Sequence, residues 1–239
     1  AQLDSDRQLT HERIPEKTRG KVAIIGSGPA GLTVAGDLAR QGFHVTIFEG
    51  QPEAGGVLMY GIPEYRLPKA VVRNEIKKIE DLGVHFVRNC LVGTPESGVT
   101  VDSLFAEGFD AIFMGTGTAL PQNLSIPGSD LRRVTQSTDF LHNVNAYVEG
   151  ALPMEMVPLR KGDKVAVIGG GNVAMDAART ARRLGADVTV IYRRTQAEMP
   201  AIQSEYEDAV KEGVNFMWQT NSLEFLGNKK GRVCAIRLS

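Results

Sequence analysis

Short apolar runs, most of them β-branched, recur along an otherwise mixed chain, and two of them lead directly into glycine-rich turns. The first is Val22-Ala23-Ile24-Ile25 and the second Val165-Ala166-Val167-Ile168. Unbroken apolar runs of this length, bounded by turn residues, read as strands buried on both faces of a parallel sheet. Each turn is followed by a helical pattern and then by another β-branched run. The pattern predicts a strand over 21–25, a helix over 29–40 and a strand over 44–48, with Gly42 ending the helix. The same order repeats as a strand over 164–168, a helix over 172–184 and a strand over 188–192.

Between and around these units the pattern is weaker. Residues 50–69 are rich in Gly and Pro (Gly55, Gly56, Gly61, Pro63, Pro68) and read as a functional loop. A helix over 69–82 places Val71, Val72, Ile76 and Ile79 on one face and stops at Gly83. A strand over 84–87, a short helix over 102–107 and a strand over 110–114 follow, the last ending in Gly115-Thr116-Gly117. Residues 118–160 form a crossing segment with Pro121, Pro127, Pro153 and Pro158 and a helix over 137–149. A helix over 201–212, a strand over 214–218 and a hairpin pairing 223–226 with 233–238 complete the chain. The first twenty residues are a polar lead-in, with a short helix expected around Thr10 to Glu16, interrupted at Pro15. The fold class is α/β: two Rossmann-like dinucleotide-binding domains of the three-layer type, each incomplete on its C-terminal side. The expected divisions are a lead-in over 1–20, a first domain over 21–120, the crossing segment over 121–160 and a second domain over 161–239.

The two glycine turns differ in a way that bears on chemistry. Gly26-Ser27-Gly28-Pro29-Ala30-Gly31 carries the GxGxxG spacing, and Glu49 ends the next strand 18 residues after Gly31. A pyrophosphate needs close approach to backbone N–H groups, and a helix N-terminus favours its charge. A carboxylate at the end of the second strand accepts hydrogen bonds from ribose hydroxyls and repels a 2′-phosphate, so this half suits FAD or NAD. Gly169-Gly170-Gly171-Asn172-Val173-Ala174 is a GxGxxA variant, and its next strand ends in Tyr192-Arg193-Arg194. Guanidinium groups cannot accept from a ribose but make paired, charge-assisted hydrogen bonds to a 2′-phosphate. This half is expected to bind NADP(H), with NAD the alternative.

Composition removes several other classes. A net charge of -1 gives no field to attract nucleic acid or an anionic membrane surface. No apolar run approaches the roughly 20 residues needed to span a bilayer. The polar start has no apolar signal core, so a cytoplasmic location is expected, and the absence of an initiator Met suggests a processed or excised piece. The two cysteines, Cys90 and Cys234, make no CxxC, which argues against a dithiol centre or a resident iron–sulfur site and suggests two reduced thiols. The four histidines are scattered, no metal ligands are expected, and no catalytic side chain is assigned.

The run Gly55-Gly56-Val57-Leu58-Met59-Tyr60-Gly61-Ile62-Pro63-Glu64-Tyr65-Arg66-Leu67-Pro68-Lys69, with the stretch over 169–201, resembles the glutamate synthase small-subunit family. That family includes the amino-terminal electron-input part of dihydropyrimidine dehydrogenase and the large subunit of NADH-dependent ferredoxin:NADP oxidoreductases. The resemblance implies that Gly55 and Gly56 lie near the flavin diphosphate and ribityl chain and that Arg66 helps hold the cofactor. It also puts Val57 and Val92 at FAD-contact positions and makes Gly115-Thr116-Gly117 a hinge, with Gly115 where the family has Ala. Read without it, Arg66 and Lys69 are ordinary surface charges on a loop. Asp176 either pairs with a nearby arginine or faces solvent, and Glu198, Glu205 and Glu207 read as solvated charges or interdomain contacts.

The cofactor-binding set is therefore Gly26, Gly28, Pro29, Ala30, Gly31, Glu49, Gly55, Gly56, Val57, Arg66, Val92, Thr116 and Gly117 for FAD. For NADP(H) it is Gly169, Gly170, Gly171, Asn172, Val173, Arg193 and Arg194. The resemblance implies hydride transfer from NADPH to FAD, with electrons passed to an iron–sulfur protein or a large catalytic subunit, and no nucleic-acid or membrane partner. The family's cysteine-bearing amino-terminal domain and its return to the flavin domain have no counterpart here, so a fragment, or a chain completed by another, is expected. A disulfide reductase of the thioredoxin reductase kind and a non-catalytic dinucleotide-binding module are the competing readings.

Overall fold

The computed structural model describes residues 16–94, 96, 98–118 and 124–239, which fall into two compact units. The expected helix near Thr10 and the part of the crossing segment around Pro121 lie outside the described residues. One unit comprises residues 16–59 and 67–118. The other comprises Tyr60–Arg66 and 124–239.

The first unit is built on β1 (Lys21–Ile25), α1 (Pro29–Arg40), β2 (His44–Phe48), α2 (Val57–Tyr60), α3 (Lys69–Asp81), β3 (His85–Val87), α4 (Val101–Ala106) and β4 (Ala111–Met114). Its four strands are all parallel, in the order β3-β2-β1-β4. The register runs from Lys21 opposite His44 to Ile25 opposite Phe48, and Ile25 also faces Met114 on the other side. The chain therefore winds outward from β1 to β2 and β3, then crosses to β4, so a topological switch point lies between β1 and β4. Both faces of β1 are covered, as its unbroken apolar run requires. Ala23 and Ile25 pack with Phe48 and Leu104, while Ile24 lies against Gly31 of α1. Phe48 meets the edge of Phe109 at 5.9 Å between ring centres. The glycine-rich loop after β2 contains α2, a single turn closed by Leu58 N–H to the Gly55 carbonyl and Met59 N–H to that of Gly56.

The second unit adds α5 (Ser137–Val148), β5 (Lys164–Ile168), α6 (Asn172–Arg183), β6 (Asp187–Ile191), α7 (Gln203–Lys211), β7 (Asn215–Met217), β8 (Ser222–Gly227) and β9 (Val233–Leu238). Strands β5-β6-β7 form a parallel sheet in that order, and β8 and β9 pair antiparallel as a hairpin. Among the described strands β5 is paired on one side only. The core gathers Phe140, Leu141 and Val144 of α5, Val157, Leu159, Val188, Val190 and the buried face of α6. Helix α6 is buried without a break from Ala174 to Ala181. Helix α7 starts two residues later than the pattern suggests, for a local reason. Ala201 N–H is bonded to the Gly170 carbonyl and Ile202 N–H to Asn172 Oδ1, so these donors are committed to the glycine turn. No helix among the described residues is long and apolar enough to cross a membrane.

Candidate functional site

Both glycine turns sit at the carboxyl ends of their first strands and open a twelve-residue helix that has no side-chain cap. The free N–H groups of the first turn are therefore available to an anion, and the helix dipole favours negative charge there. In the first unit Gly26 has φ 97°, a left-handed conformation, and a Cβ there would meet the Gly115 carbonyl oxygen at 2.5 Å. A Cβ at Gly31 would lie 2.0 Å from the Gly26 carbonyl oxygen, so only glycine lets α1 lie this close to the turn. A Cβ at Gly28 would meet nothing within 4 Å, which leaves open ground in front of the helix. The second unit repeats the plan. Gly169 has φ 128°, and a Cβ at Gly171 would again meet nothing within 4 Å. The two open cradles fit phosphate groups, by their shape and by their donors.

The residue after the first glycine does a different job in each turn. Ser27 is fully buried, and both its N–H (3.0 Å) and its hydroxyl donate to Glu49 Oε2, while Gly55 N–H donates to the Ser27 oxygen at 2.9 Å. Gln51 N–H donates to Glu49 Oε1 at 2.8 Å. Glu49, 7% exposed, is thus fixed by three donors, with acceptor capacity left on Oε1. The same bonds dock the double-glycine turn on the phosphate turn, where a Cβ at Gly56 would stand 2.9 Å from Gly28 Cα. Gly170 instead lies against the Tyr192 ring and Met199, where a Cβ would meet carbons at 2.8–2.9 Å. Tyr192 occupies the place that Glu49 holds in the first unit. Gly26 N–H binds the carbonyl of Phe48, just before Glu49, and Gly169 N–H that of Ile191, just before Tyr192.

Arg193 and Arg194 follow, both exposed. The backbone here is braced from the loop that follows β7, with Gln219 N–H bonded to the Arg194 carbonyl and Thr220 N–H to that of Tyr192. Thr195 N–H and hydroxyl both donate to Glu198, which with the nearby Arg194 charge lowers the Glu198 pKa.

The other sequence-derived positions fall as follows. Pro29, Ala30, Val57, Thr116, Gly117 and Val173 are exposed beside the turns or strand ends. Val92 is half-buried against the Ala23–Ile25–Phe48–Leu104 cluster. Asn172 uses its side-chain oxygen on Ile202 N–H. Lys69 departs from the surface-charge reading: it is 1% exposed, and its Nζ donates to the Leu58 carbonyl at 3.0 Å, closing the glycine-rich loop at its base. Cys90 is half-buried and Cys234 exposed, both as free thiols, and burial pushes the Cys90 thiol up.

Arg66 departs from that reading too. Residues 60–66 are held on the second unit. Asn145 Nδ2 donates to the carbonyls of Tyr60 (2.8 Å) and Ile62 (3.2 Å), and the Tyr60 ring stacks on His142 at 4.8 Å. The Tyr65 ring lies under the Arg183 and Arg179 guanidinium groups, 3.9 and 4.8 Å from its centre. Burial pushes the Tyr65 pKa up to about 12. Arg66 Nη1 donates to both Asp176 oxygens at 2.8 Å, and its Nε lies 3.2 Å from Glu205. Asp176 is 5% exposed, and its burial raises its pKa despite the guanidinium. Glu205 is correspondingly an ion-pair member rather than a solvated charge.

Arg179, which a period-3.6 reading places on a helix face without further signal, is also buried. It reaches Glu205 (2.5 Å), Glu212 (2.9 Å) and Asp208 (3.3 Å). Glu212 also accepts from Arg183 at 2.8 Å. Burial opposes the charge of Glu212, but these hydrogen bonds outweigh it and lower its pKa below 4.5. A lowered folded pKa gives stability that is complete above the ordinary carboxylate range and is lost as pH falls through the lowered value. Glu212→Gln is therefore expected to be less stable than the parent at neutral pH, with the gap closing as pH falls below 4.5. Urea unfolding across a pH series measures this, and a gap that stays constant would remove Glu212 as its source.

Comparison with known proteins agrees with this geometry. The family model described as pyridine nucleotide-disulphide oxidoreductase matches residues 20–237. The chain is 44% identical over 220 residues to the NADP(+)-dependent formate dehydrogenase subunit beta of Moorella thermoacetica, covering 90% of this chain and 29% of that protein. It is 39% identical over 216 residues to the glutamate synthase (NADPH) small chain of Halomonas elongata, covering 89% of this chain and 45% of that one. The chain thus spans less than half the length of either relative. Its fold superposes on a mutant of FprA from Mycobacterium tuberculosis with a TM-score of 0.73 at 21% identity, over 92% of this chain and 63% of that one. With two parallel α/β units, each carrying a glycine turn before an uncapped helix, the chain belongs to the pyridine nucleotide-disulphide oxidoreductase family.

Proposed function

We propose that this chain is the two-cofactor part of an NADPH-oxidising flavoprotein of the glutamate synthase small-subunit type. FAD binds the first unit and NADP(H) the second. The observation that carries this reading is the opposite charge at the two ribose-reading strand ends. Glu49 is buried and fixed as an acceptor, whereas Arg193 and Arg194 are exposed beside Tyr192, with their backbone braced. A carboxylate selects a ribose with free hydroxyls, and paired guanidinium groups select a 2′-phosphate.

The bound cofactors would supply hydride transfer from nicotinamide to flavin. The chain's residues bind and orient. Gly28 and Gly171 leave room for the diphosphates, and the first turns of α1 and α6 supply donors. Gly55 and Gly56 wall the first cradle, and Thr116 and Gly117 stand at the end of β4 beside the switch point. Electrons leave to an iron–sulfur protein or a larger catalytic subunit, a reading supported by the relatives named as a subunit beta and a small chain. Two free thiols without CxxC spacing fit a cytoplasmic location and argue against disulfide reduction.

The test is a visible spectrum of the purified protein with FAD, followed by anaerobic addition of NADPH and, separately, NADH. Flavin absorbance that bleaches faster with NADPH is the expected result. Faster bleaching with NADH overturns the phosphate-reading assignment, and flavin that binds but never bleaches makes the chain a binding module.

A further inference from the structure

The loop that carries Arg193 and Arg194 is tied back to the second phosphate turn, and every tie lies within the second unit. Tyr192 and Thr195, which flank the two arginines, both hydrogen-bond to Glu198. Tyr192 Oη donates to the Glu198 carbonyl at 3.0 Å, and Thr195 N–H (3.1 Å) and hydroxyl (2.8 Å) donate to its carboxylate. Beyond Glu198, Ala201 N–H donates to the Gly170 carbonyl at 3.0 Å and Ile202 N–H to Asn172 Oδ1 at 2.9 Å. A Cβ at Gly170 would stand 2.8 Å from the Tyr192 ring and 2.9 Å from Met199, so both feet of the loop rest on the glycine turn. The first unit also closes the loop after its second strand onto its turn, but through Gly55 N–H and the Ser27 oxygen. Gly170 has no side chain for that task. Asn172, at the helix position where the first unit has Pro29, supplies the acceptor instead. The same closure made by different atoms ties it to what the two units share, a strand end that reads a ribose beside a turn that holds a diphosphate.

Resting on the function proposed above, we propose that Asn172 and Glu198 are positioning residues for the 2′-phosphate of NADP(H). Glu198 braces the two residues that flank the arginines, and Asn172 latches the far end of the loop to the first turn of α6. Together they fix the place of Arg193 and Arg194 relative to the diphosphate cradle, so that a nucleotide anchored there presents its 2′-phosphate to both guanidinium groups. The charge of Glu198 does not help directly, since a carboxylate repels a phosphate. Its effect, like that of Asn172, passes through the arginines.

The experiment measures equilibrium binding of NADPH and NADH to the full chain carrying Asn172→Ala or Glu198→Ala, each alone and combined with Arg193→Ala and Arg194→Ala. Amide hydrogen exchange of residues 193–202 is read without nucleotide. Each single variant should lower the preference for NADPH by roughly tenfold, a coupling expected within one hydrogen-bonded network. Neither should lower it further once the arginines are gone. Asn172→Ala should raise exchange at Ile202 and leave β5 and β6 unchanged. Glu198→Gln keeps an oxygen acceptor for Thr195 and should retain most of the preference. Should Asn172→Ala fail to fold, the exposed Glu198 carries the same cycle. A Glu198→Ala protein that binds NADPH more tightly, as charge alone would give, overturns the proposal. So does an unchanged preference, or a loss of the same size without the arginines. A parent protein that binds NADPH no more tightly than NADH would refute the phosphate reading of the proposed function instead, and exchange at Ile202 would still decide whether Asn172 latches the loop.

Discussion

Arg193→Ala combined with Arg194→Ala is expected to reduce the preference for NADPH over NADH by roughly 30- to 150-fold. Hydrogen bonds to charged groups contribute about 1.5–3 kcal/mol each, and exposure of both side chains to solvent discounts the sum to about 2–3 kcal/mol. The loss should fall on NADPH alone, because NADH has no 2′-phosphate for these groups to hold. Both side chains are exposed, and the backbone they stand on is fixed by bonds from Gln219 and Thr220, so the fold does not depend on them. Equilibrium binding of the two nucleotides, with the unfolding midpoint as control, checks this. Equal weakening of both would show that the arginines steer nucleotides by general charge and do not read the phosphate.

Gly31→Ala is expected to destabilise the first unit by about 1–3 kcal/mol, in the range of overpacked sites, and to abolish tight FAD binding. The new methyl would sit 2.0 Å from the Gly26 carbonyl oxygen, a backbone atom that can yield only if the turn itself moves. That movement would disturb the open ground at Gly28. The aligned position in the second unit behaves differently. Ala174 already carries a methyl group there, and a Cβ built at Gly169 stands 3.8 Å from it. Ala174→Gly should cost about 1–2 kcal/mol, the helix penalty of glycine plus the loss of one buried methyl, and leave NADPH binding within a few-fold. Chemical denaturation and flavin titration of the two variants side by side measure the asymmetry. A Gly31→Ala protein that binds FAD normally would show that α1 can back away from the turn.

Much of the local architecture was legible because it is governed by short-range rules. Apolar runs over 22–25 and 165–168 can be buried only with both faces covered, which requires parallel strands with helices packed on the sheet. The strands over 21–25, 44–48 and 164–168 and the helix over 29–40 fall on the residues that the pattern indicated. Where a boundary moved, a contact from elsewhere in the chain moved it. The start of α7 shifted to Gln203 because the two preceding N–H groups serve the second glycine turn. The short α2 inside the glycine-rich loop follows from carbonyls that Gly55 and Gly56 present, which composition does not reveal.

Charge placement was far less legible. Lys69, Arg179 and Asp176 are polar residues on helices, and period alone puts such residues in water. Burial of each is affordable only because a carbonyl or an opposite charge waits for it, and those partners are distant in sequence: Glu205 is 26 residues from Arg179, and Asp176 is 110 residues from Arg66. No spacing rule connects such pairs.

The sequence by itself determined the two strand–turn–helix–strand units, the positions of the glycines and the contrast between Glu49 and Arg193-Arg194. All of these depend on steric freedom or charge at one residue or within one turn. Only the tertiary structure decided that Ser27 fixes Glu49, that Gly170 makes room for Tyr192, and that residues 60–66 lie on the second unit under Arg179 and Arg183. Those outcomes depend on which buried donors and acceptors meet across long separations, and the folded chain settles that by satisfying all of them at once.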